Sequence, residues 1–355
     1  MEPFASLVDE MFARGVGSGA ALSIGEAGRE VVRMFRGSTR RVPTPGAPVT
    51  ADTWWDVASL TKPIVTVASA MVLAGEGRLD LDAPIREYLP DAASTGTVLQ
   101  LLGHAAGCAA HVEFFKQLRA QPPADPRAAL VAMACAVPAI EPGTTVTYSD
   151  LGYIQLGAII ERASGAPLEA AYAELVAGPL ALSARYGAEP ALSVATEQDE
   201  RGVVQGEVHD ENAWYGGRVC GHAGLFARLD DVAAFAQAIL DLWHGIPRGR
   251  LEPALVRRFL STSAAPAAGA TWRIGFDTPS HTPGISHAGD RWPRSNSAGH
   301  MGFTGVSMWL DLANQRWVVL LTNRVHPTRF GESPEAIKAL RRAVNDAAID
   351  LLERR

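Results

Sequence analysis

Length, composition and charge are those of an ordinary globular protein. The chain has 355 residues, of which 47% are hydrophobic and 20% charged, and its formal net charge is −6 at pH 7. A chain of this length needs one large domain or two. Because it contains no run of Lys and Arg, we do not expect a nucleic acid as its partner.

The first residues and the cysteines bear on the location of the protein. MEPFASLVDEMFARG carries acidic residues early and lacks the basic-then-apolar order of a signal peptide, so it predicts an amphipathic helix. The most apolar stretch, residues 64–74, is shorter than a bilayer span, so we expect no membrane partner. Cys108, Cys135 and Cys220 lie far apart without a CxxC pair, which favours free thiols in a reducing cytoplasm.

Strand patterns occur near both ends of the chain. After the first helix, GAALSIGEAG and REVVRMFRGS predict two strands joined by a glycine-containing turn. Near the other end, GVSMWLDL and RWVVLLTNR flank a short turn at residues 313–315, which predicts a second hairpin. A capped amphipathic helix is predicted to follow it.

Helical patterns dominate between these strands. Residues 59–73 predict an apolar helix, and LGYIQLGAIIERASG and LDDVAAFAQAILDLW predict two more, the first capped by Gly165. Residues 183–224 are rich in glycine and polar residues and predict long loops.

These patterns together predict an α+β fold. Its antiparallel sheet is built from both chain termini and flanked by helices, and a mainly helical region is inserted between the two halves of the sheet. We expect the sheet domain at residues 1–78 and 266–355 and the inserted domain at 79–265. The active site is expected in the cleft between them.

The first candidate for chemistry is the segment Ser59-Leu60-Thr61-Lys62. Residues three apart share one face of a helix, and Pro63 is tolerated only in a first turn, so Ser59 is expected at a helix N-terminus. Serine becomes a nucleophile when a neighbour takes its proton, and a desolvated lysine with a lowered pKa can do this. Taken alone, so short a pattern is better explained by a capping serine and an exposed lysine.

The second candidate is Tyr148-Ser149-Asp150, directly before a predicted helix. Ser149 or Asp150 would serve as its N-cap, but a cap does not call for Tyr148. A tyrosine at such a junction can point into a cleft and carry a proton if nearby cations lower its pKa.

The third candidate is the segment around His300. It precedes a predicted strand, and Gly302 and Gly305 would let a ligand approach the strand edge closely. A backbone N–H there could donate to an oxyanion. A hairpin entry with a structural histidine explains the segment about equally well.

In their order, these three segments resemble the motifs of the penicillin-recognising serine hydrolases. The sequence is similar in particular to the class C β-lactamase-like group, which also contains DD-peptidases, esterases and amidases and carries SxxK, Tyr-x-Asn and Lys/His-x-Gly motifs. The matches are Ser59–Lys62, Tyr148–Asp150 and His300–Gly302, and LLGHAAG and GHAGLFARLDDVAAFAQAIL resemble the family as well. The resemblance extends from about residue 17 to residue 322.

The resemblance implies a role for each matched residue. Ser59 would be the acylated nucleophile, and Lys62 and Tyr148 would move its proton and protonate the leaving group. The backbone N–H groups of Ser59 and Phe303 would form the oxyanion hole. The remaining positions would contact substrate: Asp150, His222, His300 and Gly302. Water would then hydrolyse the acyl-enzyme, and neither a cofactor nor a metal is expected.

Two residues depart from the pattern of this family. Asp150 stands where an amide is usual, and beside Lys62 it would raise the lysine pKa and oppose a general-base role, unless it points away as a helix cap. His300 stands where β-lactamases and many DD-peptidases carry lysine. A histidine is mostly neutral at pH 7, which weakens the case for binding a substrate carboxylate and favours an esterase or an amidase or peptidase.

Several functions therefore remain open. The first is a serine hydrolase acting on a small-molecule or peptide-like acyl substrate, with cell-wall muropeptides suggested by the segments VHDENA and GHAGLF. The alternatives are a true β-lactamase or DD-carboxypeptidase, or a sensor that is acylated without turnover. A metal-dependent hydrolase using His209, Asp210 and His222 is less favoured, because no metal-ligand spacing is present. We expect a monomer or a homodimer.

Overall fold

An antiparallel sheet built from both ends of the chain forms the centre of the protein. The structure, a computed structural model, describes residues 2–265 and 270–355. Within them lie the strands β1 (Gly19–Glu26), β2 (Arg29–Gly37), β3 (Trp55–Asp56), β4 (Arg185–Tyr186), β5 (Ala195–Asp199), β6 (Gly202–Gln205), β7 (Leu225–Ala227), β8 (Ser297–Met301), β9 (Ser307–Asp311) and β10 (Arg316–Thr322). The main sheet has the order β2-β1-β10-β9-β8, with Ala20 of β1 opposite Thr322 of β10.

Helices supply most of the chain between β2 and β8. In chain order the described helices are α1 (Glu2–Ala13), α2 (Ala68–Gly75), α3 (Ile85–Tyr88), α4 (Val98–Leu102), α5 (Phe115–Ala120), α6 (Pro126–Ala136), α7 (Asp150–Ser164), α8 (Leu168–Tyr172), α9 (Glu211–Tyr215), α10 (Leu229–Trp243), α11 (Pro253–Ser261) and α12 (Ser333–Glu353). Shorter turns of 3₁₀-helix cover Ala58–Leu60 and Pro190–Leu192, and π-helical turns cover Lys62–Val67 and Ala173–Ala177.

The two faces of the main sheet are buried against different helices. Because side chains alternate along a strand, β10 sends Val319 and Leu321 into a core shared with the helical run 58–75 and with α10. The intervening residue Leu320 enters a second core, where the terminal helices α1 and α12 pack together. Burial of both faces explains why β10 reads as a continuous apolar run.

The structure confirms the α+β fold and both predicted hairpins. His300 precedes the predicted strand β9, as expected, and lies itself on a further strand, β8. One local prediction is corrected: the segment 183–224 contains β4, β5, β6 and α9 in addition to loops. The predicted domain boundaries at residues 1 and 266 lie outside the described residues. The division into two domains therefore stays a prediction.

One helical run is long and apolar enough to cross a membrane by length and composition alone. It covers Ala58–Gly75, 18 residues, of which 83% are buried inside the protein. The core helix of a globular protein has the same properties, so the run is weak evidence for a span. It is longer than the apolar stretch recognised in the sequence at 64–74.

Candidate active site

A sharp turn presents Ser59 at the start of the apolar helical run. Ala58, directly before it, has φ of 45°, a conformation that residues with a Cβ rarely adopt. Its N–H donates to Asp56 Oδ1 at 2.8 Å, which holds the turn. The chain then passes from a 3₁₀ turn into the π-helical turn that begins with Lys62. Both the strained residue and the π turn are features found at functional sites.

Lys62 lies beneath Ser59, with its side chain completely buried. Its Nζ donates to Ser59 Oγ at 3.0 Å, to Asp150 Oδ1 at 2.7 Å and to the carbonyl oxygen of His222 at 3.1 Å. Burial alone would lower the pKa of Lys62, but the negative charge of Asp150 and the contact with Tyr148 raise it above its ordinary value. Of the two effects expected from the sequence, the raising effect of Asp150 therefore outweighs the lowering effect of burial, and the resting side chain is an ammonium ion.

Asp150 points at Lys62 because another residue caps its helix. Ser149 has extended backbone angles, and its Oγ accepts a hydrogen bond from the N–H of Gly152 at 3.1 Å. This leaves the Asp150 carboxylate free to bind Lys62 with one oxygen and to lie 3.3 Å from His111 Nδ1 with the other. Burial opposes its ionisation, but the charge of Lys62 holds the pKa of Asp150 well below its usual range.

Tyr148 is held in an aromatic cluster above Lys62. Its ring centroid lies 4.7 Å from that of His104 and 5.1 Å from that of Trp272, and Lys62 Nζ lies 4.8 Å from the ring centroid of Tyr148. Burial raises the pKa of Tyr148 above its ordinary value, although Lys62 and Ser59 act in the opposite direction. The resting phenol is therefore protonated and can donate a proton.

The end of strand β8 forms the opposite wall. His300 donates its Nδ1–H to the carbonyl oxygen of Met301 at 2.9 Å, and burial lowers the pKa of His300 to about 3, so its ring is neutral. A Cβ on Gly302 would lie 2.6 Å from the carbonyl oxygen of Val57, so only glycine allows this close approach to the Ser59 turn. The N–H of Phe303 forms no hydrogen bond within the described residues.

These elements enclose a cleft of about 580 Å³. The sequence-predicted residues that line it are Ser59, Tyr148, Asp150, His300, Gly302 and Phe303. Two predicted residues, Lys62 and His222, lie behind this surface and are 0% and 1% exposed. The volume lies within the range of small-molecule sites.

The histidines that suggested a metal site pair with carboxylates separately. His222 Nε2 lies 3.0 Å from Asp210 Oδ1, and His209 Nε2 lies 3.0 Å from Glu197 Oε2. Burial would lower the pKa of His222, but the charge of Asp210 raises it to about 10. Among residues 2–265 and 270–355, no group of three His, Cys, Asp or Glu side chains could hold a metal ion.

Several residues of the cleft were not predicted from the sequence. His111 and Trp272 line it, and so does Arg341 from the middle of α12. His104 supports Tyr148 from behind and accepts a hydrogen bond from the N–H of Ser149 at 3.1 Å. A resemblance in the segment LLGHAAG was the one available signal for His104, whereas isolated histidine, tryptophan or arginine residues carry no motif.

Comparison with known proteins identifies the class to which this fold and cleft belong. The fold is that of the serine hydrolases with a β-lactamase and transpeptidase architecture. A sequence model of the beta-lactamase family matches residues 4–342. The chain therefore belongs to the beta-lactamase family.

Two relatives illustrate the activities found in this family. The N-acetylmuramyl-L-alanine amidase of Bacillus subtilis (strain 168) is 28% identical over 360 residues, which cover 90% of this chain and 80% of the relative. A protein of Escherichia coli (strain K12), provisionally named a D-alanyl-D-alanine carboxypeptidase, is 30% identical over 78% of this chain and 70% of its own length. Both names describe hydrolases of amide bonds.

Solved structures show the same fold. A class C beta-lactamase from Rhodobacter sphaeroides has a TM-score of 0.72 with 17% identity, covering 98% of this chain and 99% of its own. A structure of SurE with D-Leu has a TM-score of 0.71 with 25% identity and covers 98% of this chain and 75% of the other. This chain is an enzyme of the serine hydrolase class that acts on ester or amide bonds.

Proposed function

We propose that this protein hydrolyses an amide or ester bond of a peptide-like acyl substrate through acylation of Ser59. The observation that carries the proposal is the 3.0 Å contact between Lys62 Nζ and Ser59 Oγ at the cleft. A serine hydroxyl next to a basic group that can move its proton is the common arrangement for nucleophilic catalysis.

The Lys62–Asp150 ion pair determines how the proton moves. Lys62 is already protonated, so it accepts the Ser59 proton only by passing one of its own to Asp150 Oδ1, 2.7 Å away. Burial penalises both charges, which reduces the cost of a transient neutral pair. Ser59 Oγ bonds to the substrate carbonyl carbon, and the bond from that carbon to the leaving group breaks as Tyr148 donates its proton to the leaving group. Tyr148 then regains a proton from Lys62, and Asp150 returns the proton that Lys62 had passed to it. Water then repeats the sequence on the acyl-enzyme.

The opposite wall stabilises the negative charge that develops on the substrate oxygen. We assign this role to the N–H groups of Ser59 and Phe303. His300, with Nδ1 bound to Met301, presents a neutral Nε2 as a hydrogen-bond acceptor. The ring centroids of His300 and Tyr148 lie 6.0 Å apart. Nε2 of His300 can accept a hydrogen bond from the Tyr148 hydroxyl or from a substrate N–H. Gly302 and Asp150 border the space between these groups.

The names of the relatives indicate a class of substrate. Because the relatives are named for amide bonds of cell-wall peptides, we propose a muropeptide containing a D-amino acid. SurE was solved with D-Leu, which agrees with a D-residue at this site. His222 is 1% exposed, so it would act through Asp210 and Lys62 rather than by touching substrate.

Replacing the nucleophile tests the proposal directly. We expect Ser59→Ala to abolish release of p-nitrophenol from an ester and of amine from D-amino-acid amides and muropeptides. Mass spectrometry of the wild type should show an acyl group on the peptide containing Ser59. The matched control is Ser6→Ala, an exposed serine on α1, which should keep full activity. Full activity of Ser59→Ala would overturn the proposal.

A sensor that is acylated and turns over slowly is the second candidate. It is favoured by the Lys62–Asp150 pair, which leaves no free lysine base to activate the hydrolytic water. A stoichiometric burst of product without steady turnover would support it. Steady hydrolysis of a chromogenic cephalosporin would instead indicate a true β-lactamase.

We also propose a cytoplasmic location and a monomeric or homodimeric state. The three cysteines, Cys108, Cys135 and Cys220, are free in the structure, which agrees with a reducing compartment. Fractionation of cells and light scattering of the purified protein test these two proposals.

A further inference from the structure

A buried arginine forms part of the wall of the cleft. Arg341 of α12 is 6% exposed. Its Nη2 donates to the carbonyl oxygens of Gly302 at 2.8 Å and Val306 at 2.7 Å, and its Nη1 lies 3.7 Å from the sulfur of Met301. In the described part of the chain it has no ion-pair partner. Burial lowers the pKa of Arg341 to about 9, so at neutral pH it still carries a positive charge.

The bonded carbonyl belongs to the peptide that carries the proposed oxyanion donor. The C=O of Gly302 and the N–H of Phe303 are the two ends of one planar trans peptide group, and they point in opposite directions. The oxygen also accepts from the N–H of Gly305 at 3.1 Å, so the cation and this turn together fix the direction of the N–H of Phe303. The cation also withdraws electron density from the nitrogen and strengthens the N–H as a donor.

The next peptide group is also bound by an arginine. The carbonyl oxygen of Phe303 accepts from Arg324 Nε at 2.8 Å. Arg324 also lacks an ion-pair partner among the described residues, and its guanidinium contacts the hydroxyl of Ser333 and lies 4.3 Å from the ring centroid of Phe303. The two peptide groups that flank Phe303 are thus each bound by a guanidinium from the C-terminal part of the chain.

We propose that Arg341 is a positioning residue for catalysis, which orients and polarises the 302–303 peptide so that the N–H of Phe303 stabilises the oxyanion. The inference rests on the proposed function of Ser59. A buried cation without a carboxylate lowers stability. Purely structural hydrogen bonds to these two carbonyl oxygens could be made by a neutral amide side chain, without the cost of a buried charge.

The test compares an oxygen ester with its thionoester, since sulfur accepts hydrogen bonds poorly and gains little from an oxyanion hole. The kcat/KM of the oxygen ester divided by that of the thionoester reports on the oxyanion donors. This ratio does not depend on the fraction of folded enzyme. We expect Arg341→Met to lower this ratio by about tenfold, part of the roughly 10²–10³-fold that loss of a whole donor costs. Arg341→Lys, which keeps the charge with a different geometry, should show a smaller fall.

Arg342→Met is the matched control on the same helix. The side chain of Arg342 contacts the carbonyl of Gly284 and the carboxylate of Asp290, neither of which lines the cleft, so its ratio should equal that of the wild type. An unchanged ratio in Arg341→Met or, if that variant does not fold, in Arg341→Lys overturns the inference. A loss confined to KM and to carboxylate-bearing esters also overturns it, because Arg341 would then bind substrate directly.

Failure of the proposed function would be visible separately. If the wild type shows no hydrolysis that depends on Ser59, the assignment of the nucleophile fails before any arginine variant is compared. If the wild type is active and only the ratio test fails, the nucleophile stands and the role of Arg341 is wrong.

Discussion

The carboxylate of Asp150 sets the protonation state of Lys62, which contacts the candidate nucleophile Ser59. Without Asp150, the buried Lys62 would have a lowered pKa, because desolvation is the largest influence on it. With Asp150, Lys62 stays protonated across the whole neutral range. Lys62 is therefore not a free base, and the proton must pass through the Lys62–Asp150 ion pair. The pH dependence of the rate distinguishes these two arrangements.

Asp150→Asn should change both the rate and its dependence on pH. We expect kcat at pH 7 to fall by roughly 10²-fold, the lower end of the usual effect of general acid–base catalysis. Since burial then lowers the pKa of Lys62, activity should rise again with pH through a new ascending limb below pH 10. The measurement is kcat from pH 5 to 10 on one ester.

Asp277→Asn is the control for that profile. Asp277 is another carboxyl of the cleft wall, half-buried, and its desolvation raises its pKa to about 6. Its replacement should not create the ascending limb, because it has no contact with Lys62. A profile of Asp150→Asn parallel to that of the wild type would show that the ion pair does not control the base.

The orientation of Asp150 marks the limit of what the sequence could predict at this scale. The order of Ser59, Lys62 and Tyr148 identifies the candidate site because the motif depends on local spacing and chain order. Ser149 and Asp150 are equally good N-caps by residue type, so sequence alone does not show which side chain remains free. Whether the pKa of Lys62 is raised or lowered depends on which of the two side chains caps the helix. Asp150 lies 88 residues from Lys62 in the chain, so local sequence does not show their contact.

At the scale of elements, the contact between the Ser59 turn and the end of β8 builds the site. Thr304 donates its hydroxyl to the carbonyl oxygen of Asp56 at 2.8 Å, and Gly302 packs against the carbonyl of Val57. The distance between nucleophile and oxyanion donor is therefore set by two segments that lie more than 240 residues apart in the chain.

Gly302→Ala should separate these two segments. The added methyl group would lie 2.4 Å from Val306 Cγ2 and 2.6 Å from the carbonyl oxygen of Val57, so the backbone must move. Overpacking of this kind costs about 1–3 kcal/mol, and a shift of 1 Å at a reacting centre can cost about 10²-fold in rate. Thermal unfolding and kcat/KM measure the two effects.

Gly75→Ala is the comparison for that substitution. Its added methyl group would meet only the side chains of Glu252 and Leu255 at 3.3 Å, at the end of α2. We expect little change in activity. Equal activity of Gly302→Ala and the wild type would mean that the spacing of the two segments is not critical.

Elements were predictable where a pattern extends over several residues. Both hairpins of the main sheet and the terminal helices follow from apolar periodicity and turn residues. The small sheet of β3, β7 and β4 was not predicted, because strands of two or three residues carry no period. It pairs Trp55 with Ala227, a contact that only the tertiary fold determines.

At the scale of the whole molecule, helices cover both faces of the main sheet, and the C-terminal helix α12 also contributes Arg341 to the cleft. The helical run 58–75 and its apolar neighbours cover one face, and α1 with α12 covers the other. Since β1 and β10 pair directly, the sheet that supports the cleft forms only when both ends of the chain are folded. We therefore expect the fold and the site to be lost together.

Leu320→Ala tests whether the sheet and the cleft unfold together. Leu320 is 1% exposed on the face of β10 that packs against the terminal helices, away from the cleft. Removing a buried leucine costs about 2–5 kcal/mol, so the urea midpoint followed by tryptophan fluorescence should fall. The kcat of the remaining folded protein should equal that of the wild type, and activity should disappear at the same urea concentration as the fluorescence signal. If activity were lost well before the fluorescence changed, the cleft would unfold independently of the sheet, and the two-faced arrangement would not be one cooperative unit.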